Sequence, residues 1–222
     1  MNIIKGLLIK DILQLKSYWK TTIIYIVVFT LIGITQGTSG GVEMVIILML
    51  TLGFGMFTMA SFNYDEQAKA DSYILSFPLD IKQVLVSKYI LVISATVIGA
   101  IVGIIFSIII DINTKAFFPD IGVLLYVAIG SIFCISIIEA IQIPCIYKWG
   151  SEKGRIHTII AIALIFLIIG GLAIISQNNS IIFSINAVPN AVDSFLPIFL
   201  IILTALIYYT SYKFSYKIYE SK

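Results

Sequence analysis

Apolar runs of about 18 residues or more recur along this chain, and they constrain its fold more than any other feature. About 20 apolar residues in α-helical conformation cross a hydrocarbon layer about 30 Å thick. Because 59% of the 222 residues are hydrophobic and only 12% are charged, a single oversized water-soluble core is excluded. The sequence therefore predicts an all-α integral membrane protein.

Six apolar runs, of which the first is short, predict six transmembrane helices, and polar or glycine-rich segments separate them. We expect the fourth to end at Pro144, because proline lacks the N–H that a continuing helix needs. No connection is long enough for a separate soluble domain, so residues 1–222 are predicted to form a single transmembrane domain. The predicted spans are residues 21–35, 42–62, 89–110, 121–143, 158–175 and 195–212.

Residues 1–20 precede the first span and carry apolar residues at helical spacing, such as Leu7, Leu8 and Ile12, with lysines between them. A basic amphipathic segment of this kind typically lies in the plane of the membrane interface. Trp19 is expected near the lipid headgroups, where tryptophan is enriched. The sequence therefore predicts an interfacial amphipathic helix ahead of the spans.

The basic residues are distributed very unevenly between the two sides of the predicted membrane. Every lysine and arginine except Lys115 falls in the N-terminal segment, in residues 63–88, in residues 145–157 or in the C-terminal tail. Cytoplasmic loops carry the excess of lysine and arginine in membrane proteins. We therefore expect a multi-pass protein of the cell (plasma) membrane with both termini in the cytoplasm.

Residues 63–88 form the longest polar segment, much longer than the 2 to 8 or so residues that a plain helix connection needs. Phe77-Pro78 is expected to divide it into two short cytoplasmic coupling helices. The first, Asp65–Ser76, would place acidic residues near its start, where the helix dipole favours them. The second, Asp80–Lys88, would begin with Asp80 as N-cap and lead into span three. We expect the first to be a docking surface.

Signatures of catalytic sites are largely missing from the sequence. It contains no HExxH or CxxC pattern and no phosphate-binding GxxxxGK[ST] loop. Its single histidine, His157, is expected to be an interfacial polar residue. We therefore expect no catalytic residue, no metal site and no cofactor bound by this chain.

Glu139 is the one acidic residue that the predicted spans place at membrane depth. A carboxylate at the bilayer centre costs about 3 kcal/mol on insertion scales, and such residues are functional candidates by default. We expect Glu139 to take part in a substrate cavity or a coupling path, with Gln142 on the next turn as its partner. The alternative is a protonated or hydrogen-bonded carboxyl that only packs against neighbouring helices.

Span three carries small residues at every fourth position, which form a smooth stripe along one helix face. Such a stripe permits close contact with another helix. Internal packing is the first interpretation and a dimer seam the second. The stripe consists of Ala95, Gly99, Gly103 and Ser107.

Three stretches resemble the ABC-2 type permease family. DEQAKADSYILSFPLDIKQVLVSKYI resembles its cytoplasmic segment, with an SLP-like turn at Ser76-Phe77-Pro78 and an sKY-like end at Ser87-Lys88-Tyr89. IPCIYKWGSEKGR is similar to the P…yk.G.eK.R stretch of these permeases, and LLIKDILQLK to their opening amphipathic helix. Within the family, the chain resembles small Firmicute-type permeases, including phenol-soluble modulin peptide exporters.

The resemblance implies a bacterial ATP-driven exporter. Two permeases, identical or paralogous, would pair with two cytoplasmic ABC ATPase subunits, which bind ATP and magnesium, so this chain would not itself be an enzyme. The substrate would be amphipathic or hydrophobic, such as a peptide toxin or antimicrobial, and membrane lipid but no nucleic acid would be a partner. The implied ATPase contacts are Asp65, Glu66, Lys69, Asp71, Tyr73, Ser76, Lys153 and Arg155.

Two other functions are compatible with a chain of this kind. An ion-coupled secondary transporter would need ionisable residues in several spans, whereas Glu139 stands alone. A non-transporting membrane immunity or assembly protein would need neither a substrate path nor an ATPase. A neighbouring ATPase gene would favour the exporter.

Overall fold

The computed structural model describes residues 3–16, 19–35, 42–68, 80–115, 121–154, 156–157, 159–160, 163 and 190–220. Within these ranges the backbone is almost entirely α-helical and contains no β-strand. This agrees with the predicted all-α class, and it follows from the need of a lipid-embedded backbone to satisfy its polar groups internally.

Six helices have defined bounds within the described residues. A helix is present where the sequence predicts the interfacial one, and its location at the membrane surface stays a prediction. The described residues between 151 and 163 are helical as well. The six helices are α1 (Ile3–Leu15), α2 (Trp19–Thr35), α3 (Val42–Gln67), α4 (Ile81–Lys115), α5 (Ile121–Trp149) and α6 (Asn190–Glu220).

Four helical segments in the described part of the chain are long and apolar enough to cross a membrane. They match predicted spans two, three, four and six. Lys20–Leu31 in α2 is a shorter apolar segment, and predicted span five lies almost entirely outside the described residues. The count of six spans therefore stays a prediction. The four segments are Val45–Gln67, Ile81–Ile110, Ile121–Trp149 and Phe195–Glu220.

α3 is longer than its predicted span. It continues through Asp65 and Glu66 to Gln67, and the Ala68 N–H still donates to the Tyr64 carbonyl at 2.9 Å. The expectation that Asp65 opens a separate helix is therefore wrong. The two carboxylates extend α3 because each of them binds a partner from another part of the chain, as described below.

α4 also begins earlier than predicted, at Ile81. The Asp80 carboxylate accepts a hydrogen bond from the Lys82 N–H at 3.1 Å, and the Asp80 carbonyl accepts one from the Gln83 N–H at 2.9 Å. Asp80 thus has the geometry of an N-cap. The predicted second short helix is the first part of α4 and not a separate element. Residues 69–79, with the predicted break at Phe77-Pro78, lie outside the described residues.

α5 does not end at Pro144, contrary to the sequence prediction. It continues to Trp149 with Pro144 inside the helix. Proline removes the N–H that would bond the carbonyl four residues earlier, which belongs to Ala140. The Ser211 hydroxyl of α6 donates to this carbonyl instead, at 2.8 Å. The prediction failed because a neighbouring helix supplies the missing donor.

The largest core cluster lies where the C-terminal parts of α3, α5 and α6 meet the N-terminal part of α4. We call this end of the helices the polar end, because the charged contacts described below surround it. Aromatic rings pack edge to face here, with centroids 5.8 Å apart for Phe62 and Tyr147 and 5.4 Å apart for Tyr147 and Tyr219. The cluster comprises Met59, Phe62, Leu85, Tyr89, Val92, Ile143, Ile146, Tyr147, Tyr208 and Tyr219.

α3 and α4 approach each other closely along the stripe of small residues. A Cβ added to Gly103 would lie 2.8 Å from the Ile47 Cα, and one added to Gly99 would lie 3.0 Å from the Thr51 Cα. Because the neighbours are backbone atoms, only glycine permits this separation of the two helices. The glycines of the stripe thus contact a helix of the same chain. Of the other two members, Ser107 is buried and Ala95 is partly buried.

Candidate functional site

A buried cluster of charged side chains joins three helices at the polar end. The Lys88 ammonium of α4 lies 2.9 Å from the Asp11 carboxylate of α1 and 2.6 Å from that of Asp65 on α3. It also donates to the Ser61 hydroxyl at 2.6 Å. Lys10 completes the cluster, 2.8 Å from Asp65 and 3.3 Å from Asp11. We call these four ionised residues, Lys10, Asp11, Asp65 and Lys88, the charge cluster.

The charge cluster is balanced and largely removed from water. Its two ammonium groups offset its two carboxylates, and Lys88 and Asp11 are only 4% and 1% exposed. Although burial of Lys10 opposes its charge, the carboxylates of Asp65 and Asp11 raise the pKa of Lys10 above its usual value. Charges buried in this way are tolerated only when each keeps its partners. The cluster therefore fixes α1 to the ends of α3 and α4.

Sequence reasoning missed two of these contacts. Asp11 lies in the segment predicted as an interfacial helix and was given no role of its own, and Lys88 was named only as part of the sKY-like end of a motif. An acidic residue within an otherwise basic segment was the available signal for Asp11. Asp65, predicted to contact an ATPase, points its carboxylate at Lys10 and Lys88 and has a side chain only 12% exposed.

A second junction ties α3 to the segment that follows α5. The Ser151 N–H donates to the Glu66 carboxylate. Gly150, with a φ of 85°, ends α5 by donating to the Ile146 carbonyl at 2.8 Å, and its own carbonyl accepts from the Gly154 N–H at 2.8 Å. Glu66 thus binds the first N–H of a new helical turn, where a negative charge is favoured. The two predicted cytoplasmic loops meet at this contact.

Glycine is required at position 150 for two reasons. Its positive φ is a conformation that residues with a Cβ rarely adopt. An added Cβ would also lie 2.6 Å from a Glu66 carboxylate oxygen. The sharp change of direction after α5 therefore depends on this residue and brings Ser151 to Glu66.

A polar cleft of about 420 Å³ opens beside the Glu66–Ser151 contact. Glu152 and Lys153 follow directly in sequence, and both are exposed. Of the other predicted contact residues, Lys69, Asp71, Tyr73, Ser76 and Arg155 lie outside the described residues. The cleft is lined by Asn63, Glu66, Gln67, Ser151 and Glu152.

His157 and Trp149 stack on each other at the edge of this region. Their ring centroids are 4.3 Å apart and the planes are nearly parallel, at 7°. The Nδ1 atom of His157 is also 2.7 Å from the Lys153 carbonyl oxygen. The described residues contain no group of His, Cys, Asp and Glu side chains that could hold a metal ion. These contacts give His157 a packing role beside α5.

Glu139 lies among four helices and is only 2% exposed. The Tyr208 hydroxyl of α6 donates to its Oε2 atom, and the Thr96 hydroxyl of α4 lies 3.4 Å from the same oxygen. Its Oε1 atom has no hydrogen-bond partner among the described residues and faces α3, since a Cβ on Gly55 would lie 2.4 Å from it. Gln142, the partner expected from the sequence, makes no hydrogen bond to Glu139 in the described structure.

Replacing Glu139 by glutamine is expected to leave the protein folded and at least as stable as the original. The glutamine carbonyl can accept from Tyr208 and Thr96, and no charge is placed in the protein interior. Leucine at the same position would leave the Tyr208 hydroxyl without its acceptor, at a cost of about 1–3 kcal/mol, whereas the Thr96 hydroxyl would keep the Val92 carbonyl at 2.6 Å. The free energy of unfolding in detergent, measured for E139Q and E139L, tests this order. Equal loss in both variants would contradict it.

The chain matches one family model along nearly its whole length. The model is described as ABC-2 family transporter protein, and it covers residues 6–220. Searches of curated proteins and of solved structures found no significant match. The matched range includes all the residues of the charge cluster, the Glu66–Ser151 contact and Glu139.

Proposed function

This chain belongs to the ABC-2 transporter family, and we propose that it is the permease subunit of an ATP-driven exporter. The family supplies the membrane component of transporters and not the catalytic subunit. A separate cytoplasmic ABC ATPase would bind ATP and magnesium, and a second permease, identical or paralogous, would complete the complex. The membrane segments of the described helices agree with such a subunit.

The contact between Glu66 and the Ser151 N–H carries this proposal furthest. It brings the end of α3 and the loop after α5 together on one face, the two places where the sequence resembles the contact surfaces of ABC-2 permeases. A rigid joint between them lets force applied to either loop reach both α3 and α5. The polar end, with its cleft and its exposed Glu152 and Lys153, is therefore the face that we assign to the ATPase.

The charge cluster has a supporting role in this mechanism. Asp65 is engaged by Lys10 and Lys88, so its carboxylate positions helices and is not free to bind a partner. Movement at the end of α3 would be passed to α1 and α4 through the same ion pairs. We propose that α1 braces the polar end while the ATPase moves its attached loops.

The substrate that we propose is an amphipathic or hydrophobic molecule, such as a peptide toxin or antimicrobial. The resemblance to small peptide-exporting permeases supports this class. Glu139 is the one buried acidic residue that the described spans contain at membrane depth, and the hydroxyls of Tyr208 and Thr96 are its partners. We assign Glu139 to the substrate or coupling path, so E139Q should stay folded but transport more slowly.

Reversing the two exposed charges beside the cleft tests where the ATPase binds. In a double variant with Glu152→Lys and Lys153→Glu, we expect co-purification with the cognate ABC ATPase to weaken by about tenfold, since misplaced charges at an interface are repulsive. ATP hydrolysis by the complex in lipid vesicles should fall in parallel. Neither side chain is buried, so the variant should remain folded.

Lys217→Glu is the matched control, because Lys217 is also exposed at the polar end but lies on α6 and does not line the cleft. It should leave both binding and ATP hydrolysis within about twofold of the original protein, as is usual for rim charges. Unchanged binding in the double variant would show that the ATPase does not use this face. If transport of an amphipathic peptide stops when an ionophore is added but continues when ATP is removed, the ion-coupled transporter is favoured instead.

A further inference from the structure

At Pro144, α5 lacks one backbone hydrogen-bond donor. A chain of hydroxyl groups from two other helices supplies this donor. The Ser211 hydroxyl of α6 lies 2.8 Å from the Ala140 carbonyl oxygen. The Tyr89 hydroxyl of α4 lies 2.7 Å from the Ser211 hydroxyl and 2.9 Å from that of Ser215. Tyr89 and Ser211 are both buried.

Counting protons fixes the direction of this chain. The Ala140 carbonyl can only accept, so Ser211 donates its single proton to it. Ser211 must then accept from Tyr89, and Tyr89, having used its own proton, accepts from Ser215. Each hydroxyl therefore gives one hydrogen bond toward Ala140, and bonds aligned in this way strengthen one another.

We propose that Ser211 is the positioning residue for the arm of α5 beyond Pro144, Cys145–Trp149, which it holds by replacing the missing backbone bond. Without a donor from Ser211, the Ala140 carbonyl would stay unpaired at the point where proline already removes one backbone hydrogen bond of the helix. The arm leads directly through Gly150 to Ser151, which Glu66 binds. The hydroxyl chain thus sets the direction in which α5 continues into the loop at the polar end.

A groove borders Pro144 and the Ser211 side chain that pairs beside it. The groove has a volume of about 330 Å³ and lies between α5 and α6. Pro144, Ser211 and Thr210 all contribute to its wall. The neighbouring Thr210 hydroxyl donates to the Ile207 carbonyl of its own helix, at 2.8 Å. Thr210 therefore offers a control that removes a hydroxyl from the same groove without touching α5.

A double-mutant cycle between Pro144 and Ser211 tests the proposal by amide hydrogen exchange of the arm in detergent or nanodiscs. In Ser211→Ala, the amides of residues 146–149 should exchange about tenfold faster, the effect of losing roughly one hydrogen bond. In a Pro144→Ala background, the new N–H bonds Ala140 directly, so adding Ser211→Ala should change exchange less than twofold or so. Thr210→Ala should behave like the original protein.

The bond from Tyr89 to Ser211 is lost in both backgrounds, so the cycle isolates the contribution of the Ala140 carbonyl. Equal acceleration in the two backgrounds would overturn the proposal. If Ser211→Ala does not fold, the double variant with Pro144→Ala must restore the folded yield, and failure to do so would also overturn it.

The consequence for transport rests on the proposed function, but the exchange cycle does not. Suppose that amide hydrogen exchange changes as the cycle predicts while Ser211→Ala keeps full coupling of ATP hydrolysis to transport. In that case Ser211 positions the arm, and the assignment of the polar end to the ATPase is wrong. If exchange does not follow the cycle, Ser211 has no such role, whatever the ATPase binds.

Discussion

Replacing Lys88 by methionine is expected to destabilise the protein by about 3–5 kcal/mol, the usual cost of removing one partner from a buried ion pair. Lys88 is 4% exposed and is bound to Asp11, Asp65 and Ser61 together. Without its ammonium, two carboxylates would share Lys10 alone in an environment that water scarcely reaches. The free energy of unfolding, measured by denaturant titration in detergent micelles, gives the result.

Lys82→Met provides the control, because Lys82 lies on the same helix but is exposed, and its loss should cost less than about 1 kcal/mol. A second variant, Asp11→Leu, should also be severely destabilised alone. Combined with Lys88→Met it should cost clearly less than the sum of the two single changes, because the remaining pair, Lys10 and Asp65, is again balanced. Additive losses would show that Lys88 and Asp11 do not stabilise each other.

Valine at position 103 is expected to separate α3 from α4 and to cost about 3 kcal/mol, the upper part of the range for overpacking. Its Cβ alone would come within 2.8 Å of the Ile47 Cα. Backbone atoms cannot turn aside as a side chain can, so the helices must shift. The unfolding free energy and the yield of monodisperse protein in detergent report this loss.

Gly130→Val is the matched control for this change. Gly130 lies inside α5, and a Cβ built there meets nothing within 4 Å. The helix propensity of valine relative to glycine is the same in both variants, so the difference between them isolates the contact with α3. Similar stability of the two variants would contradict the close packing at Gly103. If Gly103 instead lay in a dimer seam, Gly103→Val would disturb dimer assembly and leave the stability of the monomer unchanged.

The sequence predicted the class of fold and the location of most helices, because runs of apolar residues leave few other structures in lipid. It failed at the end of α5, since the donor that repairs Pro144 comes from Ser211, far along the chain. The prediction also assigned Asp65 to a helix separate from α3, because the continuation of α3 through Asp65 depends on contacts with Lys10 and Lys88. Local patterns contain no information on such pairings.

The candidate site was predictable in its location but not in its contacts. Glu139 was identified by its charge within an apolar run, whereas its partners Tyr208 and Thr96 come from other helices. Glu66 was identified as a surface contact, although it binds the Ser151 N–H. In both cases the sequence indicated that a residue is unusual, and the packing of helices decided what it binds.

Photo-crosslinking from position 152 tests most directly whether the polar end receives the ATPase. A photoreactive amino acid would replace Glu152 in one variant and Ile121 in another, in membranes that also contain the cognate ABC ATPase. Ile121 is exposed and begins α5 at the opposite end of this helix. We predict a permease–ATPase adduct from position 152 and none from position 121. An adduct from position 121 alone would contradict the proposed orientation and the function assigned to the polar end.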